Sequence, residues 1–200
     1  MAKTPQISTF TNLRGVDAEV QKIQSLMKGA SSPINWLDYA FGMAEIGFRE
    51  TAEGVETFPM CYNINSSDEQ DVRPNDQWVD YCFWTYSDAG EITYDDGLDT
   101  MIYRKGKPLI TYPVSCIFYM KLPTGSSYKV QKTQRRQQIV EFFDTLTGYP
   151  GIVAPTEYID HDIKAVFEGF DLGRLPEKWF YLPYYGIRVN MDISFRNYCA

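Results

Sequence analysis

Ile187-Arg188-Val189-Asn190-Met191-Asp192-Ile193-Ser194-Phe195 alternates without a break. Every odd position is apolar and every even one is polar or charged. A strand turns successive side chains to opposite faces, so this stretch predicts a strand. One of its faces belongs to a core and the other to water or a polar partner. Upstream, Val114, Cys116, Phe118, Met120 and Leu122 alternate with Ser115, Ile117, Tyr119 and Lys121, and Pro123-Thr124-Gly125 ends the run. Trp78 to Tyr86 is almost wholly aromatic and apolar, which suits a strand buried on both faces. Phe58 to Ile64 reads as a further strand with Pro59 near its start, where a sheet tolerates proline. The polar stretch 65–76 is a loop, and Asp88-Ala89-Gly90 and Asp95-Asp96-Gly97 mark turns.

Helical spacing flanks these strands. Val16, Val20, Ile23 and Met27 fall at i, i+4, i+7 and i+11, with Asp17 and Glu19 in the first turn and Gly29 after the last. Ser31-Ser32-Pro33 offers a cap and a first-turn proline to a second helix carrying Trp36, Ala40, Ala44 and Phe48. Gly42 and Gly47 weaken that helix. A third helix covers 129–147, with Ile139, Phe142, Phe143 and Leu146 inward and Gly148 as its stop. Residues 150–186 read as loop-rich and aromatic. The order helix, helix, strands, helix, strand predicts an α+β fold: a mainly antiparallel sheet with helices packed on one face. Residues 1–14 read as a loose polar arm, and 15–200 as a single α+β domain.

Composition narrows the function classes. The chain of 200 residues holds 15 Tyr, 12 Phe and 4 Trp but one His, so it is rich in groups that pack and poor in the commonest acid–base and metal-binding group. The net charge of −7 argues against duplex DNA binding as the main task, which needs clustered cations. Within 53–99 Arg73 is the sole base among 12 acids. That segment is either a set of solvated loops or an acidic surface that meets a basic partner or repels a polyanion. Cys61, Cys82, Cys116 and Cys199 have no C-x-x-C spacing, and the first three sit in apolar runs as small hydrophobes. No signal peptide and no membrane span is read from the sequence.

Chemical motifs are sparse. The sequence has no phosphate-binding G-x-x-x-x-G-K-[ST], no dinucleotide G-x-G-x-x-G and no G-x-S-x-G. Asp160-His161-Asp162 could serve a base or a metal, but it reads equally as a solvated loop and lacks a second His or a Cys. Asp95, Asp96 and Asp99 miss the spacing of a calcium loop, and a turn on Asp96-Gly97 explains the pair. No catalytic, cofactor-binding or metal-ligating residue is assigned. Lys129, Lys132, Arg135 and Arg136 form the one basic cluster, either a solvated helix face or an edge that meets an acidic surface. Trp179, Phe180, Tyr181, Tyr184 and Tyr185 crowd seven residues, and either cap the sheet or make a subunit contact. Lys132, Arg135, Arg136 and these five aromatics are the candidate subunit interface.

The helix at 16–28, the strand opening at Phe58-Pro59, the strand 114–122 followed by helix 129–147, and the closing strand 187–195 together resemble the neck and tail-completion proteins of tailed bacteriophages. The tail-terminator-like group is the nearest in pattern, and the aromatic texture looks like the neck rings of crAss-like phages. The resemblance implies a virion protein, made in the host cytoplasm, that forms a homo-oligomeric ring between portal and tail. Its implied partners are copies of itself and other neck, portal or tail proteins. It further implies that DNA passes through without specific binding, with no enzyme activity and no cofactor. Asp95, Asp96 and Asp99 would then line an acidic lumen that repels phosphates. The alternative is a soluble α+β enzyme or small-ligand-binding domain whose site is scattered along the chain.

Overall fold

The alternating segment at 187–195 forms the middle of a 13-residue strand that pairs on both sides. The computed structural model describes residues 6–7, 13–62, 69–75, 77–86, 93–95, 109–146 and 152–196. In chain order the elements are β1 (Gln6–Ile7), α1 (Gly15–Met27), β2 (Tyr39–Met43), β3 (Glu45–Thr51), β4 (Gly54–Tyr62), β5 (Glu69–Asp71), β6 (Tyr81–Tyr86) and β7 (Thr93–Asp95). Then follow β8 (Leu109–Lys121), α2 (Ser127–Leu146), β9 (Ile152–Ile159), α3 (Ile163–Val166), a 3-10 turn (Glu177–Phe180) and β10 (Tyr184–Arg196). The architecture is α+β. The main sheet runs β1-β2-β6-β8-β10-β9, with β7 also on β8, and a smaller sheet runs β3-β4-β5. The β1–β2 and β2–β6 ladders are parallel and the others antiparallel.

Two cores sandwich the main sheet. On one face Cys82, Trp84, Cys116, Phe118, Ile187, Val189 and Met191 pack under α1 and the C-terminal half of α2. Val16, Val20, Ile23 and Met27 of α1 all enter this core, as their spacing predicts. On the other face Phe41, Tyr81, Phe83, Ile117 and Tyr119 meet Cys61, Val72, Ile163, Val166 and Phe167. β6 is therefore buried on both sides, and so is the middle of β8. Cys61, Cys82 and Cys116 are buried free thiols. Burial, with a smaller contribution from Cys82, pushes the Cys116 thiol well above its ordinary value.

Expectations change at several places, and within the loop predicted at 65–76 Glu69–Asp71 is the strand β5, paired with β4. The helix predicted through Trp36 to Phe48 is a turn followed by β2 and β3. A spacing of four is also a multiple of two, so Ala40, Ala44 and Phe48 suit a strand as well as a helix. Gly47 decides part of it: a Cβ there would lie 2.6 Å from the Phe58 ring. Pro59 sits two-thirds along β4 and not at its start. Its carbonyl accepts from Val72 N at 3.0 Å, so its missing N–H faces the side where β5 has already ended. Residues 152–159 are the edge strand β9, which carries Pro155 and a bulge opposite Asn190/Met191. Within the predicted arm, Gln6–Ile7 pairs with β2, and Gln6 N donates to Asp38 O at 2.8 Å.

Candidate functional site

Of the two segments singled out as an interface, Lys132 of α2 comes together with the aromatics that lead into and open β10. Lys132, Tyr181, Tyr184 and Tyr185 line a groove of about 270 Å³ with Asp160 and His161. Four lysines each sit over one ring of the aromatic run. Lys178 lies 4.3 Å from the Trp179 ring centre and Lys132 4.6 Å from that of Tyr185. Lys164 lies 5.7 Å from Phe180 and Lys121 5.9 Å from Tyr184. Such contacts hold an ammonium against a ring face while leaving it wet. Arg135 stacks on Trp36 at 4.4 Å, where burial lowers its pKa despite the opposing pull of Asp80. Arg136 reaches Asp160 at 3.4 Å. The unfavourable placement of cations in the N-terminal half of α2 is thus offset within the same chain.

The aromatic run divides into a cap and a ridge. Trp179 and Tyr185 are buried, and Tyr184 stacks on Tyr119 with ring centres 5.6 Å apart. Tyr119 Oη donates to Trp179 O at 3.1 Å, and Tyr185 Oη donates to Asp160 Oδ2 at 2.9 Å. Burial first, then the Asp160 hydrogen bond and charge, push the Tyr185 phenol far above its ordinary value. Tyr181 and Leu182 are left out, 63% and 67% exposed, beside the cis Leu182–Pro183 bond.

A second exposed apolar surface lies on the β3–β4 hairpin, which the helical reading of 32–48 concealed. Antiparallel register places Ile46, Phe48 and Val55 on one face, opposite Pro59, Thr57 and Glu50. They are 54%, 70% and 64% exposed. The alternation of Ile46 and Phe48 with Glu45, Gly47 and Arg49 is the signal that could have found them. The opposite face of the hairpin is tied down. Phe58 is flanked by Arg49 and Arg73 at 4.8 and 5.4 Å. Arg73, the sole base of the acidic segment, is buried at its centre. It donates to Glu56 Oε1 and Asp171 O at 2.6 Å, and to both oxygens of Asp71. Burial alone would lower its pKa, but the hydrogen bonds of Asp71 and Glu56 outweigh this and raise it.

The acidic segment is therefore partly a structural node and not a free surface. Glu53 pairs with Arg174 at 3.3 Å, and Asp80 Oδ1 accepts from Lys121 N at 3.2 Å. Asp95 ends β7, opposite Leu109, while Asp96 and Asp99 lie outside the described residues. His161 is exposed at the rim of the groove, before Asp162 caps α3 by accepting from Lys164 N at 3.1 Å. The even-numbered side of β10 is less wet than its alternation suggests. Arg188 is buried, donating from Nε to Ser115 Oγ and Asn190 Oδ1 and from Nη1 to Glu168 O. It borders a cavity of about 400 Å³ lined also by Glu45, Thr85, Tyr86 and Phe170.

Among the described residues, no group of three or more His, Cys, Asp and Glu is placed to hold a metal ion, and no helix is long and apolar enough to cross a membrane. No family model matches this sequence, and neither does any curated protein.

Proposed function

We propose that this chain is a self-assembling structural subunit that forms a homo-oligomeric ring, of the kind found in the neck or head–tail region of tailed phages. The observation that carries the reading is the pair of exposed apolar surfaces, Ile46–Phe48–Val55 on the β3–β4 hairpin and Tyr181–Leu182 beside the groove of Lys132, Asp160 and His161. Clustered apolar side chains rimmed by charge are the composition of protein–protein contacts. The phage setting rests on the order of elements, of which α1, the β8–α2 succession and the closing β10 are present. In that setting the partners are copies of the chain and other neck, portal or tail proteins, and DNA is a passenger in the channel.

Mass photometry of purified full-length protein, followed by negative-stain imaging, tests the reading. Closed particles of one subunit number support it. A monomer at every concentration up to the solubility limit overturns it. The cavity beside Arg188 favours a second reading, a small-ligand-binding domain, because about 400 Å³ falls within the size range of ligand pockets. A thermal-shift screen of small metabolites, with Arg188→Gln as control, tests that reading.

A further inference from the structure

We propose that the cavity between α1 and the junction of β2 with β3 binds a primary ammonium group on a short apolar tail. The cavity has a volume of about 230 Å³ and shares Ala44, Glu45 and Tyr86 with the larger cavity beside Arg188. Helical spacing sets Asp17, Gln21 and Gln24 along one stripe of α1, and Glu45 reaches the same space from the start of β3. The walls between them are Leu13, Val20, Met43 and the rings of Tyr62 and Tyr86. No Lys, Arg or His lines this space. One chain supplies every wall, so the inference stands apart from the assembly reading.

Three acceptors in the cavity lack a donor. Among the described residues neither the Asp17 nor the Glu45 carboxylate makes an ion pair or a hydrogen bond. Gln24 is 1% exposed, and its Nε2 donates to Phe41 O at 2.6 Å. That bond fixes the amide, and Oε1 has no donor among the described residues. A buried acceptor left unmatched carries the full cost of its desolvation. Burial first, and then the charge of Glu45, hold the Asp17 carboxyl above its ordinary value. Burial, followed by Asp17, Tyr112 and Glu45, raises the Tyr86 phenol at the same place. No cation enters the balance at either group. An ammonium group brings three N–H donors and one compact positive charge. It can meet both carboxylates and Gln24 Oε1 at once, and its tail finds apolar walls and ring faces that attract a cation. Calcium suits the space less well. It takes about six to eight oxygens, and among the described residues no three of His, Cys, Asp and Glu are placed to hold a metal.

The test titrates 2-phenylethylamine into the full-length protein, followed by backbone-amide NMR shifts and calorimetry. The uncharged match of the same shape, 2-phenylethanol, is the control. The amine should bind once per chain and move the amides of 17–24 and 42–45. The alcohol should bind at least about 10-fold more weakly, the worth of one charge-assisted hydrogen bond. Asp17→Asn and Glu45→Gln keep the shape of each side chain and remove its charge. Each should weaken the amine by about 10-fold or more and leave the alcohol as it was. Circular dichroism checks that both variants keep the fold. Equal affinity for amine and alcohol, unchanged binding of the amine in both variants, or shifts confined to other residues would overturn the proposal. So would no response to the amine up to about 10 mM. Calcium chloride moving the same amides more tightly than the amine would overturn it in favour of a metal site.

Discussion

Gly47 lies against Phe58 so closely that a Cβ would sit 2.6 and 2.7 Å from two atoms of the ring. Glycine in a strand interior ordinarily weakens it relative to alanine, by roughly 0.5–1 kcal/mol. Here the sign should reverse. Gly47→Ala is expected to destabilise by about 1–3 kcal/mol, the usual range for overpacking, read from urea denaturation. A neutral or stabilising result would mean that the hairpin does not pack on Phe58 as described. Arg73 is the other residue on which the hairpin depends. Arg73→Met takes away the cation 2.6 Å from buried Glu56 and leaves it only the half-exposed Arg49 at 3.8 Å. Removing one partner of a buried pair typically costs about 3–5 kcal/mol. The loss should appear as a lower midpoint with unchanged slope in the same denaturation experiment. The isolation of Arg73 among acids is visible in the sequence, but its role is not. Its partners Glu56 and Asp171 O are far apart along the chain and meet only through folding.

At the scale of elements, α1 carries a pH dependence. Burial, and then the charge of Glu45, raise the Asp17 carboxyl above its ordinary value. A raised folded-state value means that the native state favours the protonated form. The stabilisation it brings is therefore full below the ordinary aspartate range and lost as pH rises through the raised value. Asp17→Asn should accordingly raise the melting temperature at pH 7, and the gain should vanish when the comparison is made near about pH 3. A constant difference across that interval would assign the effect to packing and not to titration. The α2 helix shows how far periodicity carries. Ile139, Phe142, Phe143 and Leu146 mark its buried stripe and all are in the core. Phe143→Ala should cost about 3–5 kcal/mol, measured by thermal or urea unfolding. β9 was illegible for a definite reason. Pro155 reads as a breaker, and only the bulge opposite Asn190 and the edge position in the sheet make it compatible with a strand.

For the molecule as a whole, the relevant quantity is what remains exposed once both faces of the main sheet are covered. If assembly pairs charged surfaces, raising salt should weaken it, because exposed charges farther apart than a Debye length are screened and that length shortens with salt. Light scattering across a salt series checks this, and assembly indifferent to salt would count against a charge-set contact. The proposed acidic lumen makes a separate prediction. Asn in place of Asp95, Asp96 and Asp99 should leave particle assembly intact and increase DNA retained by the particles, measured by nuclease protection. Failed assembly would place those acids at an interface instead. By itself the sequence determined the fold class, α1, α2 and the long strands β8 and β10, because burial marks each element locally, with a period where one face is covered and an apolar run where both are. The tertiary structure decided the rest. It made 39–51 two strands, because a four-residue spacing fits both periods and the fit of Gly47 beneath Phe58 is not local. It divided 179–185 into a buried cap and an exposed ridge, because that division depends on Tyr119 and on Lys121, Lys132 and Lys164, which arrive from distant parts of the chain.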